Sequence, residues 1–311
     1  MRAEYHSKHL DEIMEKHNRI ANVQVVFVDI EKYSQRRTPV QIEVVDQLTA
    51  ALREAHAAIS KDYIEYAQAN NLNFQEDIIL IPTGDGAAIV FTFDGLHDIH
   101  LKFAKHLLKT SDSRSITSPC AKFKAEAWCN CHSYFNLRVG ISEGKAIIYK
   151  DVNGGYNVAG GVMNMASRVM GLAERNQIMF TADAHKQIVD MVDDSKLASH
   201  FVEYKYVNIK HGVHINIYQF TDSDLDFLNS DPPAELVLVQ RAKVAMKKIT
   251  TGMPFEGVDP DDMDKERVTK QMEQIANMMG EFARIGKQLP PRTRTIRSEV
   301  RSLPKPKKRK K

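Results

Sequence analysis

Apolar positions along this chain recur with two periods, and the changes between them mark out a succession of strands and helices. Val23-Gln-Val-Val-Phe-Val28 is nearly continuous in apolar residues, the pattern of a strand buried on both faces. Val40, Val44, Val45, Leu48, Leu52, Ala55 and Ile59 then fall at helical spacing and predict a long helix from about Pro39 to Tyr66. Two apolar runs within Ile78–Phe91 are broken by Gly84-Asp85-Gly86, as a hairpin would break them. The helical period returns over about Leu96–Leu108. Strands follow near Lys122–Trp128, Phe135–Ser142 and Lys145–Tyr149, then a helix over Val162–Ala173, a short strand Gln177–Phe180 and a helix Ala182–Met191. A last hairpin pairs Phe201–Ile209 with Val213–Phe220 and turns at His211-Gly212. Strand, helix, hairpin, helix, strand is an α/β (α+β) ferredoxin-like core, here with additions.

Outside this core the character changes. Residues 1–22 read as an N-terminal helical segment, 23–222 as the main domain, 223–287 as a helical extension and 288–311 as a basic tail. In the extension, Val268, Met272, Ile275, Met279 and Phe282 form one stripe, which more often packs on its own domain or a dimer partner than on a ligand. Six of the last seven residues are Lys or Arg, so the tail reads as disordered, with a weak contact to nucleic acid or an anionic surface open to it. The formal net charge of the whole chain is only +3, so this basicity is local. With 43% hydrophobic and 27% charged residues the composition is that of a globular protein. No run of about eighteen apolar residues predicts a transmembrane segment, and the N-terminus lacks an apolar signal region, so a cytoplasmic location is expected. Cys129, Cys131 and His132, with Cys120 upstream, hold soft metal ligands, but Cys-x-Cys-His lacks the usual zinc spacing and reads as a reduced, partly buried strand.

The candidate chemistry lies inside the core. In Gly155-Tyr-Asn-Val-Ala-Gly-Gly-Val-Met-Asn-Met-Ala-Ser-Arg168, Asn164 and Arg168 stand at i and i+4 near a helix start and share one face. An amide and a guanidinium reached from a Gly-rich approach can hold a sugar oxygen and a phosphate oxygen together. Met163, Met165 and Met170 on the same helix read as core. Asp29 ends the first strand and Asp85 sits in the hairpin turn. Either acid alone is at home in a turn, but two carboxylates at neighbouring strand ends could share hard cations for metal-assisted phosphoryl transfer.

With Asp29-Ile30, Gly84-Asp85-Gly86, Arg138-Val-Gly-Ile141, Asn164-Met-Ala-Ser-Arg168 and Asn208-Ile-Lys210-His in this order, the chain resembles the class III nucleotidyl cyclases, the family of adenylate and guanylate cyclases, over roughly Val23 to Phe220. The resemblance implies that Asp29 and Asp85, with the Ile30 carbonyl, bind two divalent cations, Mg²⁺ or Mn²⁺. It implies phosphate contacts for Arg138 and Lys210, ribose orientation for Asn164 and transition-state stabilisation for Arg168. It also implies a nucleoside triphosphate substrate and a homodimer with composite active sites. The departures from the family bear on the base. Where adenylate cyclases carry a base-selecting Lys this chain has Ile81, where they carry an Asp it has Asn157, and where the family tends to have Phe it has Tyr33. This pattern resembles the pyrimidine cyclases of bacterial anti-phage Pycsar systems, which make cyclic UMP or cyclic CMP as an alarm signal. UTP is favoured over CTP because the better-populated part of that group is expected to use it, although the Asn157 amide can present either face. A purine cyclase with an atypical base pocket and a catalytically inactive nucleotide-binding module are the alternatives.

Overall fold

A computed structural model describes residues 6–16, 18–116, 135–209, 213–237 and 277. The chain divides into two compact units, Met1–Leu236 and Val237–Lys311, and nearly all described residues lie in the first. The predicted strand Lys122–Trp128, the Cys120/Cys129/Cys131/His132 group, Lys210, residues 238–276 and 278–287 of the extension and the basic tail lie outside the described residues.

Helix α1 (Lys8–Lys16) leads into strand β1 (Ile20–Ile30). Helices α2 (Thr38–Asp62), α3 (Ile64–Ala69) and α4 (Phe74–Asp77) connect it to the hairpin of β2 (Ile79–Pro82) and β3 (Gly86–Phe91), and helix α5 (Ile99–Ile116) follows. After β4 (Leu137–Lys150) and β5 (Tyr156–Ala159) come α6 (Gly161–Met170), β6 (Gln177–Thr181), α7 (Ala182–Met191), β7 (Phe201–Ile209) and β8 (Val213–Phe220). The strands form one sheet in the order β2-β3-β1-β4-β6-β8-β7, with β5 paired to β4 off this path. The first four, β2-β3-β1-β4, are antiparallel neighbours, and each of the crossovers β1–α2–β2 and β3–α5–β4 skips one strand. That is the ferredoxin-like arrangement expected from the element order. Beyond it, β6 joins β4 in parallel and the β7–β8 hairpin completes the edge.

Both faces of the sheet are covered, which explains the nearly continuous apolar run of β1. Val26, Val28 and Ile30 point into a first cluster built with α2, α5 and α7. Val23 and Val25 point into a second, which contains Leu10 and Ile13 of α1 and Val162 and Ala166 of α6. Leu10 is fully buried, and burial of such a side chain is worth roughly 1.5–3 kcal/mol, so α1 is part of the packed body.

Several expected boundaries differ from the structure: β1 begins at Ile20, inside the segment 1–22 read as helical, and α5 runs on to Ile116, eight residues past the expected end at Leu108. The long helix breaks at Tyr63 (φ −115°, ψ 26°), whose hydroxyl donates to Asp98 at 2.5 Å, and it resumes as α3. The second helix starts later, at Ile99, because buried Gln24 of β1 donates to the Leu96 carbonyl at 3.0 Å and keeps that residue in the turn. The two strands expected at 135–142 and 145–149 are one strand, β4, whose register with β1 runs unbroken from Ile20↔Ile147 through Val23↔Gly144 to Ile30↔Leu137. Strand β5 and helix α4 carry too few residues to show a period, and neither was expected.

Candidate active site

The pairing of β1 with its two neighbours assembles one end of the site. Asp29 is opposite Gly86 on one side and Arg138 on the other. The Ile30 N–H donates to the Asp85 carbonyl at 3.0 Å, and the turn is closed by Thr83 N–H to Gly86 O at 3.0 Å. Gly84 adopts φ +98°, a left-handed conformation that glycine meets without strain. A Cβ at Gly86 would come within 2.1 Å of the Val28 carbonyl oxygen, so only glycine lets the Asp85 turn lie this close to β1. The predicted acids and the Ile30 backbone therefore converge at a single strand end.

Cross-strand partners share a face, and the Arg138 guanidinium donates to the Asp29 carboxylate there as an ion pair. Arg138 Nε is buried and unpartnered among the described residues. The Asp29 carboxyl is held above its ordinary range chiefly by burial; Arg138 opposes this, while the nearby charge of Asp85 and a hydrogen bond with it add to it. Two carboxylates crowded at a half-buried strand end, both offering hard oxygens, fit a Mg²⁺ or Mn²⁺ ion, which binds through one or two carboxylates plus substrate phosphates. Among the described residues no group of three or more His, Cys, Asp and Glu side chains offers a complete protein cage, and the donors at hand are the Asp29 and Asp85 carboxylates and the Ile30 carbonyl.

The other half is helix α6. Its buried face is Val162, Ala166, Val169 and Met170, and it packs against β4 and β1. The close approach depends on Gly140 of the Arg138-Val-Gly-Ile141 segment, where a Cβ would meet Ala166 O at 2.3 Å and Met170 N at 2.4 Å. Asn164 is exposed and Arg168 half-buried, off the packed face. Neither side chain has a hydrogen-bond or ion-pair partner among the described residues, so both are available to a ligand.

The three positions expected near the base are not gathered into one wall within a chain. Ile81 packs against the second cluster, whereas Tyr33, in a 3₁₀ turn after β1, packs against the first, and its carbonyl accepts from Gln41 Nε2 at 3.3 Å. Asn157 lies between Tyr156 and Val158, which face the second cluster, so its side chain leaves β5 on the opposite side. Its Oδ1 accepts from the Val158 N–H at 2.7 Å. The sequence reading missed the Asp29–Arg138 pairing, because no local signal reports a contact between residues 109 positions apart. It also passed over Gly140, although a glycine inside an apolar strand is itself a sign of close backbone approach.

No family model and no curated protein matches the chain. Among solved structures it is similar to the guanylate cyclase domain of a rhodopsin-linked enzyme from Catenaria anguillulae, in complex with GTP, at 18% identity, over 65% of this chain and 96% of that one, with a TM-score of 0.44. It is also similar to the adenylyl cyclase CyaB from P. aeruginosa, at 16% identity over 66% and 95% with a TM-score of 0.45. An adenylate/guanylate cyclase/hydrolase from Silicibacter pomeroyi matches at 17% identity over 66% and 98%, with a TM-score of 0.44.

Proposed function

We propose that this protein is a nucleotidyl cyclase that closes a pyrimidine nucleoside triphosphate, UTP ahead of CTP, to the 3′,5′-cyclic monophosphate with release of pyrophosphate. The observation that carries the reading is the side-by-side placement of Asp29 and Asp85 at one strand end, in a chain whose α6 presents unpartnered Asn164 and Arg168.

Asp29, Asp85 and the Ile30 carbonyl would hold two divalent cations, Mg²⁺ or Mn²⁺. Bound there, they would lower the pKa of the ribose 3′-hydroxyl and neutralise phosphate charge. The Asn164 amide orients the ribose, so that the 3′-oxygen faces the α-phosphorus in line with the departing pyrophosphate. The Arg168 guanidinium meets the negative charge that develops on the α-phosphate oxygens. Arg138, next to Asp29, adds fixed positive charge at the triphosphate end, and Lys210 is assigned the same task by its place in the sequence. Asn164 and Arg168 face away from their own sheet, which suits a two-fold homodimer in which the metal acids of one chain meet α6 of the other.

The base preference rests on Ile81, Asn157 and Tyr33. An Ile where a purine enzyme would place a Lys removes a donor, and the Tyr33 phenol lengthens an aromatic wall by one hydroxyl. A smaller base with a hydrogen-bonding edge suits that set. The resemblance to Pycsar cyclases supports a role for the product as an alarm signal in anti-phage defence. Incubating the purified protein with each of the four NTPs and Mn²⁺, with chromatography of the products, tests the reaction and its base preference. Cyclic UMP or cyclic CMP is expected; cyclic AMP or cyclic GMP as the main product would replace it with a purine cyclase, and no product from any nucleotide with an inactive nucleotide-binding module.

A further inference from the structure

Strand β5 is only four residues long and pairs with β4 alone, so backbone hydrogen bonds hold it on one side. It nevertheless leads, through Gly160 alone, directly into α6, whose Asn164 and Arg168 carry half of the proposed site. The packing of α6 on β4 and β1 sets how closely the helix lies on the sheet, with Gly160 seated against Ala146 of β4, and a second set of contacts ties the strand that leads into it. The structure points to the N-terminal helix as their source.

Ser7 is fully buried and caps α1, its Oγ accepting from the Leu10 N–H at 3.0 Å. The same hydroxyl donates to Asp77 Oδ1 at 2.6 Å, and the other oxygen of that buried carboxylate accepts from the Asn73 N–H at 2.6 Å. Ser7 also grips Tyr156, the first residue of β5, twice: its N–H donates to Tyr156 Oη at 2.9 Å, and Tyr156 Oη donates to the Ser7 carbonyl at 3.2 Å. Lys150 Nζ sits 5.0 Å from the centre of the Tyr156 ring and 3.4 Å from Asp11 of α1. Beneath these polar ties, Leu10 and Ile13 share the second cluster with Val158 of β5 and Val162 and Ala166 of α6.

We infer that Ser7, Asp77 and Tyr156 form a latch through which α1 sets the position of β5 and α6, and so the reach of Asn164 and Arg168. All three are positioning residues, since none of them lies at the metal acids or on the outward face of α6. The inference rests on the role given above to Asn164 and Arg168. Its physical basis is that a shift of about 1 Å in a group that orients the reacting atoms can cost up to ~100-fold in rate, whereas nucleotide affinity is set largely by phosphate contacts elsewhere. Tyr156→Phe keeps the ring and deletes both hydrogen bonds to Ser7. Ser7→Ala deletes the cap and the contact with Asp77, and Ser7→Thr keeps the hydroxyl.

The test uses the full chain. With the preferred nucleotide, Tyr156→Phe and Ser7→Ala are expected to lower kcat by about tenfold with KM within about twofold, and Ser7→Thr to recover at least about half of the wild-type kcat. Unchanged kcat in folded Tyr156→Phe protein would overturn the latch; where that variant does not fold, Ser7→Ala decides by the same measure. If the wild type turns over no nucleotide, the cyclase reading fails by itself, and hydrogen exchange of amides 161–170 still tests the latch. Faster exchange there in Tyr156→Phe than in wild type supports it, and equal exchange rejects it.

Discussion

At the scale of single residues, environment separates groups that look alike in the sequence. Asp85 and Glu143 are both acidic residues of the core, yet one lies in the turn beside Asp29 and the other is opposite Gln24 in the interior of the sheet. If Asp85 supplies a carboxylate to the proposed metal site, Asp85→Asn should lower cyclase turnover at least about 100-fold, measured as cyclic product per enzyme at saturating Mn²⁺; turnover near wild type would remove Asp85 from that site. Glu143 is different: burial first, and then the charge of Asp183 at the start of α7, push its carboxyl up to about 7 from 4.5. Its Oε2 and the Gln24 Oε1 across the strand pair are buried without partners among the described residues. Because the folded-state value is the raised one, the folded chain holds a proton that the unfolded chain has released. The contribution of this group to stability is therefore fully present below about 4.5 and falls as pH rises towards about 7. Glu143→Gln should flatten that dependence and raise stability at pH 8 by about 1 kcal/mol, once solvent screening of this partly exposed group is allowed for. Urea titrations of both proteins at pH 5 and pH 8 measure it, and parallel pH profiles would refute the assignment.

At the scale of elements, the site depends on how closely α6 lies on β4. Gly140 makes this contact, and any side chain there meets helix backbone, which cannot rotate away. Gly140→Ala should destabilise the protein by about 2–3 kcal/mol and lower turnover further by displacing Asn164 and Arg168. Denaturant midpoints and activity of the folded fraction separate the two effects, and a midpoint equal to wild type would show that α6 can lift without cost. Gly144, on the same strand, is a useful contrast, since a Cβ there would come no closer than 3.8 Å to Val162. The elements legible in the sequence were those long enough to show a period, such as β1 and α2, or, like β2, marked by turn residues such as Gly84-Asp85-Gly86. The four-residue β5 and α4 were not, and neither was the break at Tyr63, where a hydrogen bond to Asp98 on another element overrides helical preference.

At the scale of the whole molecule, the sheet is covered on both faces, by α2, α5 and α7 on one and by α1 and α6 on the other. On the proposed homodimer, Asp85→Ala and Arg168→Ala damage opposite halves of each composite site. Mixed in equal amounts after reversible dissociation, two inactive variants should regain about a quarter of wild-type activity: half of the dimers are mixed, and each of these has one intact site of two. Assay of the mixture against each variant alone checks this, and no recovery from variants shown to exchange subunits would place the whole site within one chain. Among the described residues no helix is long and apolar enough to cross a membrane.

The sequence by itself singled out the side chains proposed to carry the chemistry and the kinds of element that bear them. Asp29 after an apolar run, Asp85 between glycines and Asn164/Arg168 at helical spacing are local signals, and periodicity is a local property. Only the tertiary structure decided which residues meet. Strand register joins positions far apart in the chain and is selected by the packing of both faces together. That register set Arg138 against Asp29, brought the Asp85 turn onto Ile30 and directed Ile81 and Asn157 to different sides. It was also the fold, through one buried serine and one tyrosine hydroxyl, that tied the N-terminal helix to the strand entering α6.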